Sequence, residues 1–239
     1  MIFGAAARKS NMSMTSENGK PRERSLRPGM FALRVAVTIV AVLLWFGSQS
    51  LLGSRTAPTS GLDDALHDWT APANSYLHES PRAADALLIA SSALVDAFGL
   101  FLIGSWLFGR SIRPFLGLAI LLAIRQLIQA LTKLPAPSGM IWHNPGFPTL
   151  FVTYYVLSDF FFSGHTAIAV LGAVELARLG KRWLTSLAVL SVLIEIAALV
   201  VLRAHYTMDI FAGLITALWA TQISAQISPS IDRKLAGSS

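Results

Sequence analysis

Six apolar runs, each near 20 residues long, dominate the chain: 31–53, 84–108, 114–132, 160–178, 183–202 and 207–227. A helix of about 20 residues crosses the hydrocarbon core of a bilayer. Inside that core each backbone N–H and C=O must be satisfied by the fold itself, which leaves only helices and closed barrels. The runs carry no strand alternation, so the expected fold is an all-α, six-transmembrane-helix bundle. Only 13% of the 239 residues are charged and 54% are hydrophobic, too little charge to clothe a soluble domain of this length. The last run is the weakest, thinned by Gln222, Ser224 and Gln226.

Charge orients the spans. The first 30 residues read as a disordered basic tail, with Arg8, Lys9, Lys20, Arg22, Arg24 and Arg27 against Glu17 and Glu23. Arg110 and Arg113 separate the second and third runs, Arg178, Lys181 and Arg182 the fourth and fifth, and Arg233 and Lys234 follow the sixth. Six crossings put all four basic segments on one side, and Lys and Arg collect on the cytoplasmic side of membranes. Both termini are then cytosolic, with a membrane domain over 31–228 and a C-terminal tail over 229–239. The net charge of +6 is accounted for in this way, and nucleic acid is not an expected partner. The chain has no cysteine, which excludes disulfides and thiolate chemistry.

Two polar motifs interrupt the apolar background, and both fall on the non-cytoplasmic side of this topology. The first is "FFFSGHTAIAV", Phe160 to Val170. Ser163 suits a helix N-cap. The free N–H groups of a helix start bind anions, phosphate included. Gly164 lets a ligand approach the backbone, Thr166 lies in the same first turn, and His165 can donate or accept a proton. Alone, such a motif is more often a plain helix cap.

The second motif is "RAHYTMDIF", Arg203 to Phe211. His205 and Asp209 are four apart and share a face on a helix. A carboxylate bonded to one imidazole nitrogen fixes the tautomer and makes the other nitrogen more basic. Together, two histidines, one carboxylate and a helix start suit phosphoryl transfer. No pair of the other histidines, His67, His78 and His143, has a metal-ligand spacing that recurs with carboxylates, so neither a metal nor another cofactor is expected.

"SDFFFSGHT" and "HYTMD" resemble the two signature motifs of the sphingomyelin synthase-like branch of the type 2 phosphatidic acid phosphatase superfamily. "RQLIQALTKLPAPSGM", Arg125 to Met140, is similar to that branch's third-span motif. The resemblance covers roughly 55–227. It implies a membrane-embedded lipid phosphotransferase or phosphatase whose site faces the exterior, periplasm or lumen, with membrane lipids as substrates. By the same resemblance His165 protonates the leaving oxygen, His205 attacks phosphorus and becomes phosphohistidine, and Asp209 orients His205. Asp159 matches the pattern without a role we can derive.

The chain departs from that pattern in one place. The animal synthases carry Glu immediately before the second-motif histidine, and here that position is Ala204. Headgroup and acceptor, ceramide or diacylglycerol among them, are therefore open. The Lys-x6-Arg-Pro phosphate clamp of the superfamily's phosphatases occurs only as Lys20…Arg27-Pro28, on the wrong side of the first span. The expected cations for the phosphate are Arg125, about 9 Å below the outer end of its span at 1.5 Å per residue, and Arg203, with Lys133 third. Arg125 has a structural alternative as the partner of Asp96, Glu175 or Glu195. Trp69, Trp142 and Tyr154 read as interface anchors, and "LDDALHDWTAPANSYL" as a short interfacial helix over the site. The competing functional class is a non-catalytic transporter or scaffold, which has no need of the full His165, His205 and Asp209 set.

Overall fold

The apolar runs become helices whose starts follow local chemistry. The computed structural model describes residues 28–53, 62–154 and 160–237. Its described residues form α1 (Pro28–Gly53), α2 (Ala65–Trp69), α3 (Ala71–Glu79), α4 (Pro81–Leu107), α5 (Arg113–Leu131), α6 (Gly164–Ala177), α7 (Arg182–Val201) and α8 (Thr207–Gly237), with no strand among them. Proline opens α3, α4 and α5, where its missing N–H costs nothing. The basic tail, Lys20 and Arg27, and Asp159 lie outside the described residues.

α1, α4, α5, α7 and α8 are long and apolar enough to cross a membrane, and the protein is an integral membrane protein. The run expected at 160–178 forms a helix of only 14 residues, about 21 Å at 1.5 Å per residue. Phe160, Phe161 and Phe162 enter it as non-helical chain. α6 packs against α4, α5, α7 and α8, and its residues from His165 to Ala173 are all buried. A helix apolar on every side belongs in the middle of a bundle, and α6 takes that place. α1 is peripheral, packed only on α4 and α5 in force, with Leu43 and Leu44 about two-thirds exposed.

The segment after residue 228 is helical, since α8 continues through Pro229 to Gly237. Asp232 explains the extension, because its carboxylate accepts hydrogen bonds from Ser111 Oγ (2.7 Å) and the Ile112 N–H (2.8 Å) at the start of α5. The expected interfacial helix is two helices, α2 and α3, divided at Thr70 with Pro72 in the first turn of α3. Asn74 fastens α3 over the bundle by donating to the carbonyls of Gly139 (3.1 Å) and Val201 (2.9 Å).

Candidate active site

The starts of α6 and α8 meet. Ser163 caps α6 by accepting from the Thr166 N–H at 3.2 Å, the Thr166 hydroxyl donates to the same oxygen at 3.1 Å, and the Ser163 N–H donates to the Asp209 carbonyl at 3.1 Å. These bonds fix His165, one residue into α6, opposite His205, two residues before α8. The imidazole centroids stand 6.2 Å apart, and both rings line one cavity. Gly164, Arg125 and both histidines line that cavity, together with Trp45, Trp142, Phe151 and Phe160.

Arg125 arrives from α5. Its Nε donates to the Phe162 carbonyl at 3.3 Å, and its Nη1 donates to Gln49 Oε1 (3.2 Å) and Gln129 Oε1 (3.0 Å). Gly164 makes this approach possible, since a Cβ there would lie 2.9 Å from Arg125 Nε. The carboxylates considered as partners for Arg125 are engaged elsewhere. Glu175 pairs with Arg113 at 2.8 Å, Glu195 accepts from Ser91 at 2.7 Å, and Asp96 accepts from the Leu150 and Phe151 N–H groups, each at 2.9 Å.

His205 and Asp209 come together, though not as two residues on one helical face. His205 precedes α8, and its Nδ1 lies 3.8 Å from Asp209 Oδ2, too far for a hydrogen bond. Asp209 Oδ2 instead accepts from the Tyr206 N–H at 3.0 Å, the reciprocal bond of a capped helix start. His165 Nε2, His205 Nδ1 and Asp209 Oδ1 are buried without a hydrogen-bond partner among the described residues. Buried polar atoms are nearly always satisfied, so three such atoms within one site make it the candidate for chemistry.

Three expected phosphate contacts sit differently. Ser163 and Thr166 are fully buried and spend their hydroxyls on the cap, behind the cavity wall. Arg203 turns away: its Nη1 donates to the Ser138 carbonyl (2.7 Å) and its Nη2 to the His67 carbonyl (3.1 Å). Its backbone stands at φ 52°, a left-handed conformation that costs a non-glycine residue roughly 1–2 kcal/mol, and these two bonds hold it there. Lys133 is exposed.

Sequence reasoning passed over several residues that build the site. His67 is buried, and its Nε2 lies 3.0 Å from the His205 carbonyl, steadying the loop that carries His205. No spacing in the sequence could have marked it. Trp142 and Tyr154, read as interface anchors, turn inward: Tyr154 is buried, its ring 5.0 Å from Trp142, and the Trp142 and His165 rings meet at a steep angle with centroids 5.2 Å apart. Trp69, by contrast, is 77% exposed. Asp64, missed as well, joins two helix starts by accepting from the Leu66 N–H (3.0 Å) and from the Thr207 N–H (2.6 Å) and hydroxyl (2.7 Å). Partial burial pushes its carboxyl up, but the bonds from Thr207 and Leu66, with His67 nearby, outweigh that and hold it below the ordinary carboxylate value.

Comparison with known proteins places this arrangement. Residues 64–226 match the model of the AtPDCT1/2 family, a segment that begins at Asp64 and contains Arg125, His165, His205 and Asp209. The chain is 23% identical over 141 residues to phosphatidylcholine:diacylglycerol cholinephosphotransferase 1 of Arabidopsis thaliana, an alignment covering 59% of this chain and 46% of the relative. The chain thus spans about half the length of the curated relative it matches. No solved structure matches it. With the family model covering more than half of the chain, site residues included, the chain belongs to the AtPDCT1/2 family.

Proposed function

We propose that the protein is a membrane-embedded lipid phosphotransferase that moves a phospho-headgroup from a glycerophospholipid to the hydroxyl of a diacylglycerol. The observation that carries this reading is the pair of buried imidazoles facing each other at 6.2 Å across a cavity that also holds Arg125. The name of the Arabidopsis relative supports it, as does the resemblance of both histidine motifs to the sphingomyelin synthase-like branch of the phosphatidic acid phosphatase superfamily, in which we place the chain.

The steps balance in both directions. His205 Nε2 attacks phosphorus, the bond from phosphorus to the glycerol oxygen breaks, and that oxygen takes its proton from His165. The phosphohistidine still carries the headgroup. An incoming diacylglycerol hydroxyl then gives its proton to His165 and attacks phosphorus, and His205 leaves. Asp209 lies on the Nδ1 side of His205, so it favours the tautomer that leaves Nε2 free to attack. Arg125 offsets the phosphate charge, and the start of α6 adds its partial positive charge.

The same reading makes α6 the fourth of six spans, short because neighbouring helices cover it, with both termini cytosolic and the site on the opposite face. The test uses purified protein in vesicles holding a headgroup-labelled phospholipid and a diacylglycerol with distinct acyl chains. Label should appear in a phospholipid bearing the new acyl chains. Phospho-headgroup released only into water would make the protein a phospholipid hydrolase, and no release at all would leave the scaffold reading.

A further inference from the structure

α1 turns one stripe toward the bundle. Among its described side chains, Arg34, Thr38, Trp45 and Gln49 are buried, while Leu43, Leu44 and Leu51 are exposed. The buried positions recur at helical spacing and share one face. Arg34, Thr38 and Gln49 are polar, and a polar side chain within a span is costly unless it has a partner there.

The stripe does different things at its two ends. At the first, Arg34 Nη1 donates to the Trp106 (2.9 Å) and Gly109 (2.7 Å) carbonyls at the end of α4, and the Thr38 hydroxyl donates to the Arg34 carbonyl at 2.9 Å. These bonds fasten α1. At the other end the stripe reaches the candidate site. Trp45 lines the histidine cavity beside Phe151, with ring centroids 5.9 Å apart. Gln49 Oε1 accepts from Arg125 Nη1 at 3.2 Å and from Gln126 Nε2 at 3.1 Å. A guanidinium only donates, so the amide must present its oxygen to Arg125, and the two bonds take both lone pairs of that oxygen.

The bonds of Arg125 differ in what they fix. The bond to Gln129 stays within α5 and turns with that helix. The bonds to the Phe162 carbonyl and to Gln49 reach other segments, the entry of α6 and α1. They set where the guanidinium stands beside Gly164, where a Cβ would come within 2.9 Å of Arg125 Nε. A displacement of about 1 Å at a group that positions substrate costs up to about a hundredfold.

We infer that Gln49 is a positioning residue for the transfer: from α1 it holds the Arg125 guanidinium at the cavity and so sets how tightly the site takes the donor phosphate. α1 lies outside the segment 64–226 that matches the family model, so this contact comes from beyond the matched segment. The inference rests on the phosphotransferase reading, in which Arg125 offsets the phosphate charge.

The experiment measures transfer from phosphatidylcholine to diacylglycerol by the full-length protein in vesicles, as a function of donor mole fraction. Gln49→Met keeps the length of the side chain and removes its strong acceptor. It should raise the donor KM about tenfold, the scale of one hydrogen bond to a charged group. Its kcat should stay within about threefold of wild type, as expected when ground-state and transition-state binding are lost alike. Gln49→Leu serves the same test if the methionine variant does not insert. In an Arg125→Met background the change at Gln49 should add less than about twofold, because the group it acts through is gone. A Gln49→Met protein with the wild-type donor KM, whatever its stability or kcat, overturns the inference and makes Gln49 a bond between helices alone. A KM rise that persists in full without Arg125 overturns it as well. Either result leaves the phosphotransferase reading standing. The KM of the single variant decides the matter even where the Arg125→Met background is too slow to assay. No transfer by wild type overturns the phosphotransferase reading, and the inference with it.

Discussion

Among the described residues, the charged groups around Glu175 and those around His205 lie toward opposite ends of the bundle and are built in opposite ways. Where α5 begins and α6 ends, Glu175 receives three hydrogen bonds from Arg113, at 2.8, 3.0 and 3.2 Å, and a further ion pair from Arg178 at 3.5 Å. Asp232 closes the neighbouring loop. Where α6 and α8 begin, His165 Nε2, His205 Nδ1 and Asp209 Oδ1 have no hydrogen-bond partner among the described residues, and a cavity opens between the rings. A satisfied cluster holds helices together. An unsatisfied one is costly, and its survival beside a cavity points to work done on a ligand.

The comparison breaks most sharply at His205. His205→Ala in correctly inserted protein should lower headgroup transfer by about 10⁶-fold, the scale seen when a nucleophile is removed. A variant keeping more than a few per cent of wild-type turnover would take the nucleophile assignment away and make the two clusters alike.

Asp209→Asn sharpens the contrast, because the proposed function gives Asp209 a second role beside the cap. Its Oδ2 caps α8 through the Tyr206 N–H at 3.0 Å, a bond that an asparagine oxygen can keep. The helix start should therefore survive, while the tautomer preference at His205 is lost. The expected effect is about 10⁴ in kcat with KM nearly unchanged. A loss within about tenfold would leave Asp209 a cap and nothing more.

Arg113→Ala probes the satisfied cluster. Removing one partner of a buried pair costs about 3–5 kcal/mol, and here less, because Arg113 is 29% exposed and Arg178 remains beside Glu175. Thermal stability in detergent should fall clearly, while turnover per folded molecule stays within about threefold of wild type. A large fall in kcat without a stability change would overturn the division of labour between the two ends.

The smallest effect is at Asp64, outside the spans. Its carboxyl is held below the ordinary value, so its contribution is full above the usual aspartate pKa of about 4 and is lost as pH falls through the depressed folded value. Hydrogen exchange at the Thr207 amide should show constant protection between neutral pH and pH 5, and weakened protection only well below pH 4. Weakening already at pH 6 would contradict the assignment of this contact to Asp64.

Much of this was legible in the residues, and what was hidden was hidden for physical reasons. Apolar length alone located the long helices, because a bilayer imposes one period on every span. It over-extended the fourth run, since Phe160, Phe161 and Phe162 are as apolar as a helix yet form its non-helical entry, Phe160 and Phe162 buried. His165 and His205 were visible through their polar neighbours in an apolar background. Ser163 and Thr166 were read correctly as helix-start residues, but hydropathy cannot tell whether a cap oxygen faces a ligand or its own helix. The inward turn of Trp142 and the role of His67 depend on contacts between distant segments, such as the bond linking Ile141 N–H to the Leu202 carbonyl at 2.8 Å. Arg203 pointed away because the five residues Leu202 to Tyr206 join α7 to α8 through a tight turn in which Arg203 takes a positive φ.

The central claim is that His205 carries phosphorus between two lipids. The direct measurement is an alkaline quench of the protein turning over phosphatidylcholine without added diacylglycerol, followed by mass spectrometry of the peptide containing residue 205. The account predicts a phosphocholine adduct on His205 that is acid-labile, absent in His205→Ala, and discharged when diacylglycerol is added. Transfer that proceeds at the wild-type rate with no adduct at His205, or with the adduct on another residue, would contradict it.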